Sequence, residues 1–223
     1  MTVLTYGMDD EPSPPTSIAL QDRPPAVANF GSDSKIVRLA LLFEGALVVL
    51  AILAGWLIKL PPWEQVRWRV HCVAIGLVAA VPMLIGLWFV RRIRRGPIGR
   101  LNAVVEDFLV PLFARCTIIE LALISAVAGL GEELLFRGVL QPVLIGWFGT
   151  AIGLLAASAV FGLLHSVTPT YAILATLIGV YFGGLVLWTE NLLPPIIAHG
   201  VYDFAALVYL TRVAVPVSRP ESP

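Results

Sequence analysis

The sequence predicts an all-α protein, a polytopic membrane bundle of about six transmembrane helices with a polar intramembrane site. Three observations carry that expectation. Hydrophobic residues make up 58% of the 223 and charged residues only 13%, with a mean hydropathy of +0.86, whereas soluble domains carry about 25% charged residues. From Leu39 onward the apolar residues gather into repeated runs of the length, about 20 residues, that a helix needs to cross about 30 Å of hydrocarbon. Within those runs, polar residues recur at i, i+4 spacing, which puts both side chains of a pair on one helical face.

Six runs qualify as candidate spans, at about 39–60, 70–90, 117–140, 147–165, 171–189 and 193–213. Pro61-Pro62 separates the first two. Arg91, Arg92, Arg94 and Arg95 end the second, and with Lys35 and Arg38 ahead of the first they place both ends of this hairpin in the cytoplasm by the positive-inside rule. Residues 101–115 mix Asn102, Glu106, Asp107 and Arg115 with apolar residues, the pattern of an amphipathic helix at the interface. Gly149 with Gly153, and Gly179 with Gly183, repeat the small-xxx-small spacing that lets membrane helices approach closely.

These boundaries divide the chain into four segments. Residues 1–34 hold Pro12, Pro14, Pro15, Pro24 and Pro25 among Asp, Ser and Gln, without a basic stretch followed by a short apolar one, so a disordered tail is expected rather than a cleaved leader. Residues 35–100 are the N-terminal transmembrane hairpin, 101–215 a helix bundle, and 216–223 a flexible C-terminal tail. Six tryptophans, Trp56, Trp63, Trp68, Trp88, Trp147 and Trp188, fall near helix ends as an aromatic belt does. Fifteen basic and fifteen acidic residues cancel, so no overall field attracts nucleic acid. Cys72 and Cys116 have neither CxxC nor histidine spacing and read as packing residues.

The polar pairs are Glu133 with Arg137, Phe161 with His165, and His199 with Asp203. A charged group in the bilayer costs about 2.5–3.5 kcal/mol on insertion scales and usually faces a functional interior. On a helix, Glu133 and Arg137 can form an ion pair while Glu132 points about 100° away and is free for chemistry. Phe161 covers one side of His165, and Asp203 can fix the tautomer of His199. Glu44 and Glu120 lie inside spans but outside this pattern. Each pair alone has a plain reading, as a wet helix end or an isolated hydrogen bond; three of them on three helices of one small bundle point to a shared site.

In order along the chain, EExxxR, FxxxH and HxxxD resemble the motifs of the type II CAAX prenyl endopeptidases and the bacterial CPBP (CAAX protease and bacteriocin-processing) intramembrane proteases, also called the Abi family. Here they are Glu132, Glu133 and Arg137; Phe161 and His165; His199 and Asp203, within about residues 115–210. Asp203 stands where the prenyl endopeptidases usually have asparagine. The resemblance implies that 101–215 is a CPBP/Abi-like catalytic bundle and that the chain is an intramembrane endopeptidase in a bacterial cytoplasmic membrane, N-terminus in the cytoplasm. Its partners would be a membrane-embedded protein or peptide substrate and the lipid bilayer, with no nucleic acid.

The residues can support hydrolysis by water that Glu132, assisted by His165, deprotonates, with His199 and Asp203 as partners of the oxyanion and Glu133–Arg137 holding the helix. No serine or cysteine is paired to a base in a recognisable order. Glu132, His165 and His199 also make a His₂Glu set that could hold zinc or another divalent metal; spacing does not choose, and the reading adopted assigns no metal ligand or cofactor. The rival readings are a non-catalytic scaffold or immunity protein and a proton-coupled transporter. Against the latter, the last four helices show no internal repeat.

Overall fold

A computed structural model describes residues 34–214, and every regular element among them is helical. The tails expected at 1–34 and 216–223 lie outside the described residues, apart from Ser34, where the first helix begins. The elements are α1 (Ser34–Leu57), a 3₁₀ turn (Pro62–Gln65), α2 (Val70–Val90), α3 (Gly96–Phe113), α4 (Ile118–Phe148), α5 (Thr150–Leu164), α6 (Pro169–Thr189) and α7 (Leu193–Val208), which a π-turn (Tyr209–Ala214) continues.

Four of these, α1, α2, α6 and α7, are long and apolar enough to cross a bilayer, and the bent pair α3 and α4 adds a fifth. The expected six thus becomes four or five by length. The difference lies between residues 117 and 165. Thr117 starts α4 with a capping box: its hydroxyl accepts from the Glu120 N–H at 3.2 Å while the Glu120 carboxylate accepts from the Thr117 N–H at 2.7 Å. Glu120 is therefore a cap and not a member of the interior. From there α4 runs on to Phe148, past the expected end at 140 and through Trp147, and stops at Gly149, whose φ of +80° suits glycine and breaks the helix. Gly149 is thus a joint, not half of a packing motif, and α5 keeps only 15 residues.

Both bent helices contain a π-turn, Val105–Leu109 in α3 and Phe136–Leu140 in α4, and in each a proline follows closely, Pro111 and Pro142. Proline lacks the N–H that would bond the carbonyl four residues back. In α4 that carbonyl belongs to Gly138, and Gln65 Nε2 donates to it instead at 2.9 Å. The break is thereby satisfied from the 3₁₀ turn.

In the packing, α4 lies along both α1 and α7, α2 lies along α7, and α5 packs between the end of α4 and α6. Asn191, in the α6–α7 connection, grips the strand of chain entering α2: its Nδ2 donates to the Arg67 carbonyl at 2.8 Å and its Oδ1 accepts from the Arg67 N–H at 3.0 Å. The outer faces remain greasy, with Leu42, Phe43, Val78, Ile173 and Leu177 exposed, as befits surfaces whose solvent is lipid. All six tryptophans are exposed at or beside helix ends, in line with the expected belt.

The basic stretch after α2 does more than mark a loop. Arg91 is buried, donating to Asn102 Oδ1 at 3.1 Å and to Glu106 Oε1 at 2.6 Å, while Arg94 reaches the same Glu106 oxygen at 2.9 Å. Asn102 also donates to the Val90 and Ile93 carbonyls, both at 2.9 Å, and so fastens α3 across the end of α2. The chain turns by 114° between α3 and α4.

Replacing Asn102 by Ala leaves two carbonyls and a buried guanidinium short of partners. We expect a loss of about 2–4 kcal/mol, read as a lowered thermal midpoint of the detergent-solubilised chain, with Glu106→Gln costing less because Glu106 is partly solvated.

Candidate active site

Three helices bring the polar residues together. The stretch of α4 before its π-turn supplies Glu132 and Glu133, and the π-turn itself supplies Arg137. Helix α5 ends at His165, its C-cap, and α7 supplies His199 and Asp203 one turn apart. All six residues expected in the site from the sequence converge on one place.

Glu133 and Arg137 form its floor. Both are buried, at 0% and 2% exposure, and Arg137 NH1 donates to Glu133 Oε1 at 3.1 Å. The second guanidinium nitrogen donates to the Gly179 carbonyl of α6 at 3.3 Å, and the ring of Phe161 lies 4.3 Å from the guanidinium carbon, a cation–π contact. The same Glu133 oxygen accepts from His199 Nδ1 at 2.8 Å. Its tie to α7 is therefore shorter than its tie along α4.

With Nδ1 engaged by Glu133, His199 turns Nε2 toward Glu132 Oε2 at 3.7 Å and Asp203 Oδ2 at 3.4 Å. His165 is held in the same manner: Nδ1 donates to the Phe161 carbonyl at 2.8 Å, and Nε2 faces Glu132 Oε2 at 3.6 Å. Glu132 Oε2 has no hydrogen-bond partner of its own and meets the imidazoles at separations too long for direct bonds. Tethering Nδ1 to fix the direction of Nε2 is the usual device for aiming an imidazole.

Aromatic rings wall the site. Phe161 covers His165 at 4.3 Å between centroids, as the i, i+4 spacing implied, and Phe182 of α6 stacks on His199 at 5.0 Å and 24°. Phe182 gave no sign in the sequence, where it is one more apolar residue between Gly179 and Gly183. Those glycines serve the floor, since the Gly179 carbonyl accepts from Arg137 and the Gly183 carbonyl from Gln141 Nε2 at 3.3 Å. The side chains of His165 and Asp203 are 26% and 30% exposed against 8% for His199, so the site opens on the side of those two. Two serine hydroxyls near His165 are spent on helix carbonyls: Ser158 donates to Leu154 at 2.8 Å and Ser166 to Leu163 at 2.6 Å. Neither is free as a nucleophile.

The donor types of Glu132, His165 and His199 suit zinc. Among the described residues, however, no group of three His, Cys, Asp or Glu side chains has the spacing that would hold an ion.

Residues 114–205, from just before α4 into α7, match the family described as Type II CAAX prenyl endopeptidase Rce1-like. The chain is 34% identical over 95 residues to the uncharacterized protein YpbD of Bacillus subtilis (strain 168), a stretch that covers 41% of this chain and 46% of that protein. It thus spans about half the length of the curated relative it matches. No solved structure matches. The α4–α7 segment is thus similar to the type II CAAX prenyl endopeptidase family that its three motifs resemble, and the chain is a multi-pass membrane protein whose described residues are all-α.

Removing Arg137 alone leaves a fully buried carboxylate with only His199 beside it. Arg137→Met should cost about 3–5 kcal/mol, and the double replacement Glu133→Gln with Arg137→Met should recover a large part of that loss. Thermal unfolding of the three variants in one detergent checks the cycle; equal losses in single and double variants would show that the pair is not the floor.

Proposed function

We propose that this chain is an intramembrane endopeptidase that hydrolyses a peptide bond in a membrane-associated protein or peptide, using water activated by Glu132. The observation that carries the reading is the unpartnered Glu132 Oε2 with two imidazole Nε2 atoms turned to it at 3.6 and 3.7 Å. Glu132 takes a proton from water that His165 Nε2 helps to hold, and the oxygen of that water bonds to the scissile carbonyl carbon. The carbonyl oxygen gains charge and turns toward His199 and Asp203, which act as its donors; this requires a proton on the facing His199 nitrogen and Asp203 protonated or bridged by water. When the C–N bond breaks, Glu132 returns its proton to the departing nitrogen. Atoms balance without a covalent enzyme intermediate.

Asp203 puts a carboxyl group at the open side, where the prenyl endopeptidases usually carry asparagine, and distinguishes this site from theirs. The orientation that follows from Lys35, Arg38 and the Arg91–Arg95 stretch is a cytoplasmic N-terminus, and the likeness to a Bacillus protein supports a bacterial cytoplasmic membrane.

Glu132→Gln keeps the shape of the site and removes the base. Cells carrying it should lose at least about 100-fold of the cleavage seen with the wild-type chain, measured by mass spectrometry of membrane peptides at matched protein levels. An unchanged peptide profile supports a scaffold, and altered proton flux into proteoliposomes supports a transporter.

The metal-free route makes a separate prediction. Purified chain should hold well under one zinc per molecule by plasma mass spectrometry and keep its activity after chelation; stoichiometric metal whose removal abolishes cleavage overturns it.

A further inference from the structure

We propose that the cleft where α1 meets the 3₁₀ turn binds the headgroup of a zwitterionic phospholipid, Lys59 holding its phosphate and Glu64 its primary ammonium. The cleft has a volume of about 690 Å³, within the range of about 300–1,000 Å³ that small-molecule sites occupy. Trp56, Lys59, Trp63 and Glu64 line it. Helix α1 is long and apolar enough to span and ends at Leu57, so a cleft at its end lies at headgroup level, where tryptophan is enriched.

The backbone builds this cleft under strain. Lys59 has φ +58° and is one of two non-glycine residues in the left-handed region among those described, at a position where glycine is usual. The turn is a Schellman motif: the Leu60 N–H donates to the Gly55 carbonyl at 2.8 Å and the Lys59 N–H to the Trp56 carbonyl at 3.2 Å. It folds the chain back so far that a Cβ on Gly55 would collide with the Pro62 ring. Trp63 and Glu64 thereby come to stand beside the last turn of α1. A lysine kept in a conformation that glycine adopts freely is explained by a use for its ammonium.

The charges of the cleft are open to a ligand. Lys59 and Glu64 are exposed, and neither side chain has an ion-pair or hydrogen-bond partner among the described residues, the other included. One cation and one anion stand between two exposed indole rings, which complements a headgroup with one charge of each sign. A phosphate accepts from the lysine, and a primary ammonium donates to the carboxylate while lying over an indole face. A singly anionic headgroup would leave Glu64 facing like charge, and a quaternary ammonium has no N–H to give it. Occupancy also bears on the proposed active site. Gln65 follows Glu64 and donates to the Gly138 carbonyl at 2.9 Å, and its own carbonyl accepts from the Leu192 N–H at 3.0 Å. A lipid that steadies the 3₁₀ turn thus steadies the π-turn that holds Arg137.

The test is native mass spectrometry of the full chain, delipidated in detergent and titrated with dioleoyl lipids of three headgroups. Phosphatidylethanolamine should bind about tenfold more tightly than phosphatidylglycerol or phosphatidylcholine. Glu64→Gln should abolish the preference over phosphatidylglycerol. Lys59→Gly keeps the turn, since glycine takes positive φ freely, yet should weaken phosphatidylethanolamine binding about tenfold. Phosphatidylethanolamine should also raise the thermal midpoint of the wild-type chain more than that of Lys59→Gly. Equal affinity for the three lipids overturns the proposal, as does phosphatidylethanolamine binding that neither variant changes, or a loss in Glu64→Gln shared equally by all headgroups. Glycerophosphoethanolamine, the same headgroup without acyl chains, should compete only weakly; competition as strong as the lipid's overturns the assignment to a membrane lipid. None of these readouts depends on cleavage, so failure here leaves the endopeptidase reading untouched.

Discussion

A carboxylate buried to 0% exposure governs this fold. Glu133 is tolerable inside the bundle only because Arg137 and His199 both donate to one of its oxygens, at 3.1 and 2.8 Å, and desolvated charge demands that kind of pairing. The consequences run outward from it. Arg137 must sit where it also reaches the Gly179 carbonyl, which fixes α6 against α4. His199 must present Nδ1 to Glu133, which leaves Nε2 pointing at Glu132. Glu132 and its neighbours are therefore aimed by a charge arrangement that lies beneath them.

The two imidazoles reach the same result by different means. His199 is anchored by a side chain on another helix, whereas His165 is anchored by its own helix, through the Phe161 carbonyl one turn back. An i, i+4 relation within a helix is dictated by its pitch, so the Phe161–His165 and Glu133–Arg137 contacts were legible in the sequence, as was the shared face of His199 and Asp203. The contact that organises the site, Glu133 with His199, joins residues 66 apart and depends on how α4 and α7 pack. No spacing rule contains it.

The rest of the fold divides along the same line. Runs of apolar residues revealed most helices, and all six motif residues were found because charge in a greasy segment stands out. Phe182 did not stand out, being an aromatic among aliphatics, and became visible only as the ring stacked on His199. Arg91 was legible as a topological signal and not as a buried clamp, since its partner Asn102 belongs to a helix that reads as interfacial. The α4–α5 boundary was misplaced because Gly149 fits two readings, close packing or a positive-φ joint, and composition cannot separate them. Pro142 held the better clue, with the π-turn and the gift of Gln65 to Gly138 following from its missing N–H.

Helix α5 is short, and His165 stands at its end. Fifteen residues of helix rise about 22 Å, well under the thickness of a hydrocarbon layer, and such mismatch is relieved by thinning of the lipid or by entry of polar groups. A bilayer meeting a helix of that length would have to thin beside it, which would bring the aqueous boundary toward the imidazole. The proposed hydrolysis needs water to arrive and charged termini to leave, and a short helix ending in His165 is where the fold would ease both.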